Sequence, residues 1–363
     1  MNYTIDKNCG VPAYIQLYNM IRDDIVNGIF PFGTKIPSKR IIAAETDVSV
    51  ITVEHAFSLL CEEGYLEAKE RSGNFVIFRE GEVGGIGLSH KKSAPVPLQP
   101  HSRGEFPFSV LAKTMRKVLL DYGERILEKS PNHGCTELRE EISAYLRRSR
   151  SISVTPDRII IGSGAEYLYG LIAQLFPKNS VFALESPSYD KIRKVYESFG
   201  MDCRMLPLEG DGIPLNAISS SGANVLHTTP FNSFPSGISI GGKKKREYIQ
   251  WAESSDGYIV EDNYDSELTV SMKAEDSLFS LSGGKRVIYV NTFSHTIAPS
   301  LRVGYMVLPS MLEEKFNEKL SFYSCTVPVY DQYVIAELIR SGDYERHINR
   351  IRRKKRKTIN ERK

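Results

Sequence analysis

Between residues 14 and 28 the apolar positions recur every fourth residue, at Leu17, Ile21 and Ile25, which predicts an amphipathic helix stopped by Gly28. A Pro-Phe-Gly turn follows. Ser38 is then placed to cap a second helix reaching about Thr46, and Ser49 a third that carries Val53, Ala56, Phe57 and Leu60 to a stop at Gly64. Asp47-Val48 makes the short turn that sets the two helices across each other. Two β-rich runs, 65–68 and 74–77, flank Arg71-Ser72-Gly73 as strand, tip and strand. Residues 1–78 thus predict a winged helix-turn-helix, its elements lying within 11–78. Apolar periodicity stops over 79–103, where Gly84-Gly85 gives way to Ala94-Pro95-Val96-Pro97; this reads as a tether, flexible at first and stiffer later.

From Phe106 the pattern changes. Helical stretches at 110–122, 137–148 and 165–176 alternate with short apolar runs at 158–161, 181–184, 224–227, 258–260, 287–290 and 303–308. β-rich runs separated by helices predict an α/β domain over 104–345, a mostly parallel sheet covered on both faces by helices. Ligands of such sheets bind beyond the carboxyl ends of the strands, so candidate chemistry belongs just after each run.

Composition narrows the class. At 363 residues the chain exceeds what one core usually organises, consistent with two domains. No apolar run approaches the roughly 18 residues of a membrane helix, and the first residues lack a signal-peptide apolar stretch, so a cytoplasmic protein is expected. Five scattered cysteines without metal-like spacing fit reduced thiols. The net charge of +3 is unevenly spread. Residues 346–363 hold ten Lys and Arg against Glu361 alone, a net +9, leaving 37 basic and 43 acidic groups, or −6, in the preceding 345. That basic tail reads either as the solvated start of a helix or as a source of non-specific phosphate attraction.

Four pieces of the first domain carry a resemblance: Tyr14-Ile15-Gln16-Leu17-Tyr18, Gly33-Thr34-Lys35-Ile36-Pro37-Ser38-Lys39-Arg40, Glu63-Gly64-Tyr65-Leu66 and Gly73-Asn74-Phe75-Val76. In this order they resemble the GntR-family DNA-binding domain over its full length. The resemblance implies that the third helix enters the major groove of double-stranded operator DNA, that Arg40 holds DNA, and that the wing touches minor groove or backbone. The residues it points to are Ser38, Lys39, Arg40, Thr52, His55, Lys69, Arg71, Ser72 and Gly73. One departure concerns the third helix, which begins Ser49-Val50-Ile51-Thr52-Val53 where the family usually has Ser-Arg-x-Thr-Val. Residues 1–78 also carry seven basic against ten acidic groups, which weakens phosphate attraction. A winged helix kept for dimerisation or docking is the alternative.

In the second domain, Gly162-Ser163-Gly164-Ala165-Glu166 opens a helix and can offer backbone N–H groups to a phosphate. Glu185-Ser186-Pro187-Ser188-Tyr189, Glu261-Asp262-Asn263-Tyr264-Asp265-Ser266-Glu267 and Asn291-Thr292-Phe293-Ser294-His295-Thr296-Ile297-Ala298-Pro299-Ser300-Leu301-Arg302 follow other runs. Together these resemble the active-site segments of fold-type-I pyridoxal-phosphate enzymes, in the form used by the MocR branch of the GntR regulators. The resemblance implies a site for pyridoxal 5'-phosphate. Tyr189 would stack on the ring, Asp262 pair with the pyridine nitrogen and Tyr264 with the ring hydroxyl. Gly164, Ala165, Glu166, Thr292 and Arg302 would hold the phosphate. His295 stands where the family places its Schiff-base lysine, and an imidazole cannot form the imine, so any cofactor is expected to bind non-covalently. The wall segment Phe231-Asn232-Ser233 also departs from the family's Ser-His-Gln. By the same resemblance 346–363 opens a helix leading to a small domain that carries a substrate-gripping arginine, and the sequence is expected to stop short of it.

The expectation is therefore a homodimeric transcription regulator of the MocR type, whose aminotransferase-like domain senses a small-molecule effector without transaminating. The alternative is a pyridoxal-phosphate-dependent enzyme using His295 as its base; a third is a degenerate fragment that aggregates.

Overall fold

The computed structural model describes residues 3–6, 10–69, 72–78, 106–270 and 276–361. The chain divides into two compact units, Met1–Leu98 and Gln99–Lys363. Arg71 and the expected tether at 79–103 lie outside the described residues.

Among its described residues the first unit has three helices, α1 (Ala13–Val26), α2 (Lys39–Thr46) and α3 (Val50–Glu62), then the antiparallel strands β1 (Leu66–Lys69) and β2 (Gly73–Val76). Leu17, Ile21 and Ile25 of α1 meet Val53, Ala56, Phe57 and Leu60 of α3, with Ile42, Leu66 and Val76 closing the core. Each of these side chains larger than alanine contributes about 1.5–3 kcal/mol on burial. The serines cap as their positions predict: Ser38 Oγ accepts from the Ile41 N–H and Ser49 Oγ from the Thr52 N–H. Asp47 ends α2 in the left-handed region at φ 53°, a conformation that short polar side chains tolerate, and this reverses the chain between α2 and α3.

The second unit holds α4 (Phe108–Tyr122), α5 (Thr136–Arg150), β3 (Ile159–Gly162), α6 (Ala165–Leu175), β4 (Val181–Ser186), α7 (Asp190–Ser198), β5 (Asp202–Pro207), α8 (Leu215–Ser220), β6 (Val225–Thr228), α9 (Gly242–Ser254), β7 (Tyr258–Asp262), α10 (Leu278–Leu281), β8 (Val287–Thr292), β9 (Gly304–Val307), α11 (Ser310–Leu320), α12 (Val329–Arg340) and α13 (Asp343–Glu361). The seven-stranded sheet runs in the order β3-β9-β8-β7-β6-β4-β5. Every pairing is parallel except those of β9, which is antiparallel to both neighbours. Alternate residues of each central strand enter opposite cores. Ile159, Ile161, Val287 and Tyr289 face α5, α9 and α12, while Ile160, Ile288 and Val290 face α6, α7 and α11. Six strands therefore end at one edge, joined there by the start of β9.

Candidate functional site

That edge gathers the sequence-predicted residues. Gly162 pairs with Gly304, and Gly304 with Thr292, so the end of β3, the start of β9 and the end of β8 lie side by side. Two residues beyond Gly162, Gly164 adopts φ 95°, ψ 176°, a region open essentially to glycine, and from there α6 begins. Arg302 arrives two residues before β9 and lies over this turn: a Cβ on Gly164 would stand 2.9 Å from Arg302 Nη2. The guanidinium is half-exposed and sits 3.5 Å from Glu166, which also accepts from Lys191 Nζ at 2.9 Å. Gly164, Ala165, Glu166 and Arg302 thus form one cluster, a backbone turn under a bidentate donor, and this is chemistry suited to a phosphate.

A second cluster forms around the end of β7. Asp262 is 3% exposed, accepts from the Tyr169 hydroxyl through Oδ2 and from the Tyr264 N–H through Oδ1. His227 Nε2 is buried without a hydrogen-bond partner, 3.7 Å from Asp262 Oδ2. A carboxylate has about four acceptor positions, so Asp262 retains capacity for a further N–H. Tyr264 donates from its hydroxyl to the Asn232 carbonyl at 2.8 Å. Burial, with the Asp265 and Asp262 charges nearby, pushes its phenol up to about 12, so it remains a donor at neutral pH. These residues fit the ring end of pyridoxal phosphate, as the first cluster fits its phosphate end. α6 links the two, carrying Glu166 in its first turn and Tyr169 in the next.

His295 lies beyond β8, its ring centroid 5.8 Å from that of Tyr264. Its Nδ1 stands 3.3 Å from Asp265 Oδ1, near enough for an ion pair although not aligned as a hydrogen bond. Asp265 Oδ2 accepts from Asn232 Nδ2 at 2.6 Å. The residues that replace the family's wall are therefore tied to the site: Asn232 reaches Asp265, and Ser233 donates to Glu185. The buried Glu185 also accepts from the Thr228 hydroxyl and the Thr229 N–H, and burial raises its carboxyl above the usual range. Tyr189 is 43% exposed, edge-on to Phe234 and beneath Lys191 Nζ, which connects it to Glu166 rather than to Asp262.

Sequence reasoning missed Tyr169, His227 and Asp265. Asp265 stood within a recognised motif, and His227 at the end of a predicted strand; Tyr169 lay a turn inside a helix with no local signal.

The loops that oppose His295 and Asp265 share one backing. On α13, Tyr344 donates to Thr296 Oγ1 at 3.2 Å and His347 Nε2 lies 2.9 Å from the Thr296 carbonyl oxygen. Farther along, Arg352 donates to the Glu267 carbonyl at 2.7 Å and Lys355 to that of Leu268 at 3.1 Å. The basic stretch is thus a helix with one face docked and Arg353, Lys354 and Lys357 exposed.

In the first unit the predicted residues separate into two kinds. Ser38 caps α2, Lys39 pairs with Glu54 at 2.6 Å, Thr52 shares a hydrogen bond with Ser49, and His55 packs edge-on against Tyr14. Lys69 lies 3.6 Å from Glu67 and over the Phe75 ring. Arg40, Ser72 and Gly73 are exposed, the last two at the tip of the wing.

Residues 13–76 match the family described as bacterial regulatory proteins, gntR family, and residues 100–361 match aminotransferase class I and II. The chain is 33% identical to the HTH-type transcriptional regulator YdeL of Bacillus subtilis over 98% of this chain and 79% of that protein. It is 28% identical to the probable rhizopine catabolism regulatory protein MocR of Rhizobium meliloti, over 96% and 76%. It is also 28% identical to the pyridoxine biosynthesis transcriptional regulator PdxR of Corynebacterium glutamicum, over 93% and 75%. Among solved structures, an archaeal alanine:glyoxylate aminotransferase superposes with TM-score 0.62 at 22% identity, over 67% of this chain and 62% of that one. The kynurenine aminotransferase of Pyrococcus horikoshii gives 0.62 at 26%, over 68% and 64%, so the chain spans just under two thirds of either enzyme. The chain belongs to the HTH-type transcriptional regulators of the GntR family, in the MocR type that joins a winged helix to an aminotransferase class I and II domain.

Proposed function

We propose that this regulator acts in the cytoplasm as a homodimer, binds double-stranded operator DNA through its winged helix, and binds pyridoxal 5'-phosphate or an amino compound non-covalently as an effector. His295 is the observation that carries this reading: by the resemblance it stands where the family places its Schiff-base lysine, and an imidazole has no primary amine to offer. Pyridoxal phosphate, when bound with its ring nitrogen protonated, supplies an electron sink. Asp262 would accept from that nitrogen, Tyr264 would pair with the ring hydroxyl through its oxygen, and Tyr189 would cover the ring. The N–H groups at Gly164, Ala165 and Glu166, with Thr292 and Arg302, would hold the phosphate. His295, beside Asp265, would hold a proton at Nδ1 where lysine would hold the cofactor. DNA contacts would come from Ser38, Lys39, Arg40, Thr52, His55, Lys69, Arg71, Ser72 and Gly73.

Equilibrium dialysis and absorbance with pyridoxal 5'-phosphate, on the wild type beside His295→Lys, test the effector site. The wild type should release the cofactor on dialysis and show no covalent absorbance band; His295→Lys should gain one. If neither binds, the domain is a scaffold and the effector reading fails. Turnover of amino substrates by the wild type with added cofactor, lost in His295→Ala, would instead make the protein an enzyme. Footprinting upstream of its own gene and its neighbours tests the DNA reading, which fails if no site is protected.

A further inference from the structure

The two faces of α3 differ in chemistry. Val53, Ala56, Phe57 and Leu60 enter the core, each at most 2% exposed. The opposite face begins with Val50 and Ile51, at 44% and 65% exposure, and continues with Glu54, His55 and Ser58. Glu54 is held by Lys39, His55 lies against Tyr14, and Ser58 donates to Glu62 at 3.2 Å. α3 itself contains no arginine or lysine, so it cannot offer guanine the bidentate cationic partner that is the commonest specific contact in the major groove. Its leading turn presents aliphatic groups instead. The base-edge feature that suits an aliphatic contact in that groove is the C5 methyl of thymine.

We propose that α3 reads the operator through thymine methyl groups, with Ile51 as the principal contact and Val50 beside it, so that the half-site carries A·T pairs opposite the first turn of the helix. This rests on the DNA-binding reading above and adds the class of base pair that is read. Backbone contacts and base readout are then divided between residues. Arg40 and the wing tip at Ser72-Gly73 set position on the phosphates, while Ile51 discriminates. Removing one contacted methyl should weaken binding about fourfold, the effect of exposing one methyl-sized apolar group.

Selection from randomised duplexes with the full chain gives the preferred half-site. Duplexes of that sequence are then prepared with deoxyuridine at each thymine in turn, which deletes the methyl and leaves base pairing intact. The expected result is about fourfold weaker binding at one or two positions per half-site, with Ile51→Ala binding thymine and uracil duplexes equally there and Ile51→Val intermediate. Because Ile51 lies outside the core, both variants should melt with the wild type. An enriched site indifferent to uracil overturns the proposal, as when this face docks a protein instead. Undiminished discrimination by Ile51→Ala also overturns it, since the methyl is then read elsewhere. If no sequence is enriched, the DNA-binding reading falls together with this one.

Discussion

Gly164→Ala probes the turn beneath Arg302. At φ 95°, ψ 176° a residue with a side chain pays a backbone strain of about 1–3 kcal/mol. The new Cβ would also stand 2.9 Å from Arg302 Nη2 and 3.2 Å from its Cζ. Those atoms are the tip of a flexible side chain that is 52% exposed, so it can swing aside and the steric part is small. Against the strain, alanine reduces the freedom of the unfolded chain, which offsets about 0.4–1 kcal/mol. The net destabilisation is about 1–2 kcal/mol. The chain's single tryptophan, Trp251, is 5% exposed on α9, so its fluorescence during urea unfolding reports the aminotransferase-like unit. With a slope of about 3 kcal/mol/M, the midpoint should fall by roughly 0.3–0.7 M. The same loss should appear in an Arg302→Ala background, within about 0.5 kcal/mol. An unchanged midpoint would refute the strain argument, and a loss that vanishes without Arg302 would assign the cost to the clash.

Two further outcomes follow from groups already located. Burial, with the Arg350 charge adding to it, holds the imidazole of His347 below its usual pKa of 6.5. A depressed folded value means that its contribution is fully present above that pH and is lost as pH falls. The thermal midpoint should decline on acidification below about 6.5 and decline less steeply in His347→Gln; His133, also depressed by burial, keeps the slope from vanishing. An equal slope in the variant would contradict this. Arg40→Ala should weaken binding to all duplexes alike and lower the salt slope by about 0.9, one phosphate contact, in anisotropy titrations across salt concentrations. Loss confined to one sequence would make Arg40 a base reader.

The helices of the winged domain were legible because α1 has a four-residue apolar period and a glycine stop, while α2 and α3 each open on a capping serine. The central strands were legible because burial on both faces leaves continuous apolar runs such as residues 287–290. β5 was not, since an edge strand reading Asp-Cys-Arg-Met-Leu-Pro lies only partly buried and has no such run. Nor does an apolar run show its direction, so the antiparallel placement of β9 emerged only from pairing. At the site, motif residues such as Asp262 and His295 were readable. Tyr169 and the Asp265–His295 approach depend on segments far apart in sequence, and no local pattern encodes them.

α13 rises through about 28 Å over its 19 residues. It grips Thr296, next to His295, in its first turns and the carbonyls of Glu267 and Leu268, just after Asp265, two to three turns later. The 3.3 Å gap between His295 and Asp265 is therefore held like the jaws of a vice by a single rod. One helix therefore braces both sides of the site from behind, and the side it turns to solvent carries Arg353, Lys354 and Lys357.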